Sequence, residues 1–119
     1  MIILSEKLDK ESLLNLSSLG EKETFFEDIV KCVVDIEQKL LAINAELHSD
    51  LEEYLLQNGS ANKNLYGINI NLEDFEIEFD SLINPPRNRE DGYPRAGRYV
   101  ASPEVREKII EVVNQWIKM

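Results

Sequence analysis

The sequence predicts an α+β fold: a mainly antiparallel sheet of three or four strands with two long amphipathic helices on one face. Three observations predict it. The segments G-I-N-I-N-L (67–72) and D-F-E-I-E-F-D (74–80) alternate apolar and polar residues strictly, as strands of a half-buried sheet do. Apolar residues recur at three- and four-residue spacing over 22–41 and again over 103–117, the mark of amphipathic helices. A length of 119 residues suits one domain, 1–119, with a single core.

Taken in order, residues 2–4 predict a short strand, and Asp9 is placed to cap a helix through Leu13 and Leu14 that Gly20 closes. Phe25, Phe26, Ile29, Val30, Val33, Val34, Ile36, Leu40 and Leu41 then form the stripe of the first long helix. Residues 44–50 read as a strand with Ala45, Leu47 and Ser49 turned to the core, and Asp50 can cap a short helix to Gln57 that Asn58-Gly59 would end. In the alternating pair, Ile68, Ile70, Phe75, Ile77 and Phe79 point inward, with Glu73-Asp74 as the hairpin turn. Residues 81–101, rich in Pro, Gly and Arg, read as a long loop. Ser102-Pro103 starts the second long helix, with Val105, Ile109, Val112, Val113 and Trp116 as its stripe.

Composition excludes several function classes. With 43% hydrophobic and 30% charged residues the chain is neither disordered nor a membrane span, and its amino terminus lacks the basic flank and apolar run of a signal peptide, so a cytoplasmic protein is expected. One cysteine excludes an internal disulfide or a multi-thiolate zinc site, and Cys32 among apolar neighbours reads as buried and inert. A formal charge of −10 opposes phosphate polymers and anionic membranes, so neither nucleic acid nor membrane is expected as a partner. No Walker motif, dinucleotide glycine pattern or nucleophile elbow occurs.

Two stretches carry candidate chemistry. On a strand, Glu46, His48 and Asp50 would share a face with Asn69, Asn71, Glu76, Glu78 and Asp80, a mixed nitrogen and oxygen set that suits a divalent metal and otherwise a solvated sheet face. There the carboxylates would raise the pKa of His48. The stretch 84–99 holds four arginines against Glu90 and Asp91, a net +2 in an acidic chain. Arg87, Arg89, Arg95 and Arg98, interleaved with Tyr93 and Tyr99, offer forks and aromatic faces that recognise carboxylates, phosphates or stacked bases, or that tie the loop back to the acidic face.

Four segments taken in order, V-D-I-E-Q-K-L-L-A-I-N-A-E-L-H-S-D (34–50), L-Y-G-I-N-I (65–70), E-F-D-S-L-I-N-P (78–85) and P-E-V-R-E-K-I (103–109), resemble a family of small bacterial proteins catalogued as a domain of unknown function, number 5674. E-L-H-x-D, W/Y-G-I-N and E-F-D-S-x-I-N are its recurring segments. The resemblance implies no activity and no cofactor. It does single out Glu46, His48, Asp50, Asn69, Asp80 and Asn84 as the polar residues of those segments.

No stretch identifies a reaction. The favoured expectation is a small binding protein whose site, formed by Glu46, His48, Asp50, Asn69, Asp80, Asn84, Arg95 and Arg98, takes a small anionic ligand or a partner protein. No cofactor is favoured. The alternatives are a metal-assisted hydrolase built on Glu46, His48 and Asp50, and an acidic protein that caps a basic partner such as a toxin. A homodimer is expected from apolar residues on the flanks of the helical stripes, Phe26, Val30 and Ile117.

Overall fold

Residues 29–35, I-V-K-C-V-V-D, are mostly β-branched, and in the computed structural model, which describes residues 1–119, they form the central strand β2 (Ile29–Asp35). The Asp35 carboxylate then accepts the backbone N–H groups of Glu37 and Gln38, each at 2.9 Å, and turns the chain back into β3 (Leu40–Ile43). The Ser60 hydroxyl donates to the same carboxylate at 2.6 Å, so this buried charge is fully hydrogen-bonded. The expected helix over 22–41 is therefore a β-hairpin.

The physical reason lies in how β2 is buried. Val30, Cys32 and Val34 enter one hydrophobic cluster while Val33 enters another. A strand covered on both faces loses its period-two pattern, and its apolar residues then fall by chance at helical spacing.

β4 (Leu65–Asn71) pairs antiparallel with the other edge of β2, from Ile29 opposite Asn71 to Asp35 opposite Leu65. Short strands β1 (Ile2–Ile3) and β5 (Ile77–Glu78) complete a five-stranded antiparallel sheet of order β1-β3-β2-β4-β5. The strand count exceeds the expected three or four. Phe75, expected in a strand, instead occupies the β4–β5 turn with φ 59°.

Both sheet faces are covered. On one lie α1 (Lys10–Leu13), a 3-10 turn over 16–19 and α4 (Pro103–Trp116), whose Val105, Ile109, Val112 and Val113 pack against Val34, Leu41, Ile43, Ile68 and Ile70. On the other lies α2 (His48–Gln57), whose Leu51 and Leu55 pack on Val33, Ala42 and Leu65. The expectation of two long helices on a single face is corrected accordingly. The only long helix is α4, of 14 residues, and α2, of 10, sits on the opposite side. Val30 and Ile117 are buried within the chain, so neither is left for a partner to cover.

The caps at Asp9 and Ser102 form as expected: Asp9 accepts from Ser12 N–H and Ser102 from Val105 N–H. The segment expected to be an 81–101 loop contains a helix, α3 (Asn84–Glu90), with its prolines in the first turn, where the missing N–H is no loss. No helix is long and apolar enough to cross a membrane.

Candidate functional site

Asn44, at φ 73°, ends β3 and sends the chain away from the sheet, so residues 45–47 do not continue as a strand. Leu47 is 55% exposed, not buried as its expected face required. His48 opens α2 and its side chain turns toward the sheet, where Nε2 lies 2.8 Å from the Ile68 carbonyl. A carbonyl only accepts, so Nε2 carries the proton and Nδ1 of the neutral ring is a bare lone pair.

This turn separates the three residues that an extended chain would have aligned. Glu46 and Asp50 border a hollow of about 290 Å³ with Phe25, Asn44 and Ala45. His48 borders a different cavity, and the chain contains no group of three His, Cys, Asp or Glu side chains placed to hold a metal ion. A helical geometry at 48–50 in place of a strand is the cause.

The His48 cavity holds about 190 Å³ and is lined by Lys31, Leu47, His48, Ser49, Asn69, Leu82, Ile83 and Arg98. Each lining group has a clear origin. Lys31 and Asn69 stand opposite each other in β2 and β4 and so project on the same face, toward α2. Lys31 Nζ donates to the Glu46 carbonyl at 2.7 Å, which steers its ammonium over the cavity. Arg98 arrives on a segment that pairs with residues 79–81: Ser81 N–H donates to the Arg98 carbonyl and Val100 N–H to the Phe79 carbonyl. Its guanidinium bonds Asp80 Oδ2 at 3.0 Å.

Electrostatically the site is cationic inside an acidic protein. Lys31 and Arg98 face one carboxylate, Asp80, and burial holds the His48 pKa below the ordinary histidine range, so the ring adds no charge at neutral pH. Lys31 pushes the same way, while the Ile68 carbonyl, Asp80 and Asn69 oppose it. The expected upward shift is thus reversed, because the ring is covered by protein and is not beside Glu46 and Asp50 in water. Asn69 Nδ2 points to the Asp80 carbonyl at 3.4 Å, which leaves its Oδ1 buried without a partner.

The remaining sequence candidates divide between structure and solvent. Asn84 is a fold element: it bonds both Gly67 backbone groups and the Arg98 carbonyl. Arg87 is buried, bonding Glu52, both oxygens of Asn62 and the Ile83 carbonyl, and so joins α3 to α2. Arg95 is exposed and Arg89 likewise. Tyr99 packs edge-on to Phe79 at 6.1 Å and lies under Arg106. Cys32 is fully buried, and burial pushes its thiol up out of the reactive range. Sequence reasoning missed Lys31, Leu47 and Leu82 as site residues, since Lys31 falls inside the expected first helix, Leu47 on the expected core face and Leu82 in the expected loop. The β-branched run around Lys31 was the signal that would have placed it on a strand.

The fold and this cavity define a small α+β domain with a cavity on one sheet face that Lys31 and Arg98 help to line. The chain belongs to the family described as protein of unknown function (DUF5674), whose sequence profile matches residues 2–116. No curated protein and no solved structure matches it. The segments E-L-H-S-D, Y-G-I-N and D-S-L-I-N meet at this cavity, through Leu47 to Ser49, Asn69, and Leu82 with Ile83.

Proposed function

We propose that the protein is a small binding module and that the cavity between α2, β4 and residues 80–83 takes a small anionic ligand. The observation that carries this reading is the pairing of two cationic side chains, Lys31 and Arg98, on one cavity in a chain of net charge −10. Lysine and arginine both retain free N–H groups there, because each spends only one on the protein. A cavity of about 190 Å³ lies below the usual range for drug-sized ligands, roughly 300 to 1,000 Å³, and suits a metabolite fragment or inorganic oxyanion. The cysteine is in the core and Ser81 is buried against Gly67, so neither lines the cavity.

The test is a titration of the protein with acetate, phosphate and sulfate, followed by backbone amide NMR. Shifts confined to residues 31, 47–49, 69, 82–83 and 98, and abolished in Lys31→Met, are expected. Shifts scattered over the surface, or centred on the Glu46 and Asp50 hollow, would refute the assignment.

A further inference from the structure

The cavity lined by Lys31 and Arg98 also carries two exposed leucines. Leu82, at 74% exposure, is the most exposed large apolar side chain of the chain, and Leu47 is exposed at 55%. A single exposed leucine is ordinary, but these come from different segments and border the same cavity as Lys31 and Arg98. Neither belongs to either hydrophobic cluster of the core.

Charge fixes a second property of the ligand. Lys31 and Arg98 against Asp80, with His48 neutral, leave a net charge of +1 at the site, which a monoanion balances and a dianion exceeds. Other carboxylates nearby oppose a dianion further: Glu78 stands opposite Asn69 across β4 and β5, and Glu46 is adjacent to Leu47. Size fixes a third. At about 30 Å³ for each water in the liquid, 190 Å³ holds roughly six water-sized groups.

We infer that the ligand is a small aliphatic monocarboxylate of about four or five carbons, its carboxylate held by Lys31 and Arg98 and its hydrocarbon tail covered by Leu47 and Leu82. This inference rests on the anion-binding reading above and specifies it. Binding would remove the two leucines from water together with the tail, which is what a mixed apolar and cationic cavity gains over a purely ionic one. An inorganic oxyanion would leave both side chains exposed.

The experiment is a calorimetric and NMR titration with acetate, butyrate, 3-methylbutanoate, 3-methylbutanol and phosphate. Affinity is expected to rise about fourfold for each added methylene from acetate to butyrate, with 3-methylbutanoate at least tenfold tighter than acetate. The alcohol should bind at least tenfold more weakly than its acid. Leu82→Ser should flatten the chain-length series while acetate binding is retained, and Lys31→Met should remove binding of every acid. A flat series, or phosphate as the tightest probe, would overturn the monocarboxylate inference and leave the anion reading standing. Equal binding of alcohol and acid, or no binding by any probe, would overturn both. A blocked tetrapeptide ending in leucine presents the same carboxylate and side chain on a larger body; if it bound more tightly than 3-methylbutanoate, the small free acid would be the wrong occupant.

Discussion

The Asn84 side chain substitutes for a strand on Gly67: its Oδ1 accepts the Gly67 N–H at 2.8 Å and its Nδ2 donates to the Gly67 carbonyl at 2.9 Å. β5 covers only Asn69 and Ile70 of β4, so without Asn84 these buried backbone groups would have no partner. Gly67 itself admits no side chain, since a Cβ there would overlap Ser81 Cβ and Oγ. The Y-G-I-N and D-S-L-I-N segments are thus locked together two residues from the cavity.

Asn84→Leu should destabilise the protein by about 2 to 5 kcal/mol, the sum for two or three buried groups left unsatisfied. Asn84→Asp should fall in the same range, because a carboxylate can accept from Gly67 N–H but faces two carbonyls without a donor. Chemical denaturation measures both, and a loss under about 1 kcal/mol in either would show that water replaces the amide. Gly67→Ala should be similarly damaging, and Ser81→Gly should rescue part of that loss in a double-mutant cycle.

Legibility in the sequence followed the number of faces each element buries. β4, with Ile68 and Ile70 in the core and Asn69 and Asn71 half-buried opposite, kept its alternation and was readable, as was α4 with its Ser102-Pro103 start. β2 and β3 were not, because they are buried on both sides and their turn depends on Asp35 folding back on its own backbone. α3 was hidden by Pro85 and Pro86, which signal a loop in isolation but stand in a first turn here. The site was half legible. His48, Asn69, Asp80 and Arg98 do come together, yet through a tertiary contact of His48 with β4 that no local pattern reports. Glu46 and Asp50 were wrongly grouped with His48 for the same reason.

Leu47 and Leu51 separate surface from core on either side of the α2 start. Leu47→Ala should cost less than about 1 kcal/mol, since the side chain is already in water, whereas Leu51→Ala should cost about 2 to 5 kcal/mol by opening a cavity. Equal midpoints in urea for the two variants would contradict the placement of α2.

Arg87 and Arg98 are both ion-paired but should behave oppositely. The Arg87 side chain is 8% exposed and Arg98 54%. Arg87→Ala strands Glu52, Asn62 and the Ile83 carbonyl and should lower stability by about 3 to 5 kcal/mol, while Arg98→Gln should change it by under about 1 kcal/mol. Arg87→Lys should recover little, because an ammonium cannot meet four acceptors that surround a planar fork. Thermal melts of the three variants decide the matter, and a stable Arg87→Ala protein would remove the arginine from the fold's supports.

His48 makes stability depend on pH in a defined direction. Burial lowers its pKa in the folded state, so around the ordinary value near 6.5 the unfolded chain binds more protons than the folded one. Stability is then full above about pH 6.5 and declines as pH falls through the lowered folded pKa, because protonation forces a charge into a covered site. Two carboxyls with lowered pKa, Asp9 and Glu21, produce losses of the same sign but only in the more acidic carboxylate range, which separates them from the histidine. His48→Gln keeps a donor for the Ile68 carbonyl and removes the titration. The measurement is the unfolding free energy of both proteins at pH 7.5, 6.5 and 5.5: the native protein should lose stability across this span and the variant should not. Parallel curves would mean that His48 titrates as freely folded as unfolded, and that its ring is not held neutral against β4.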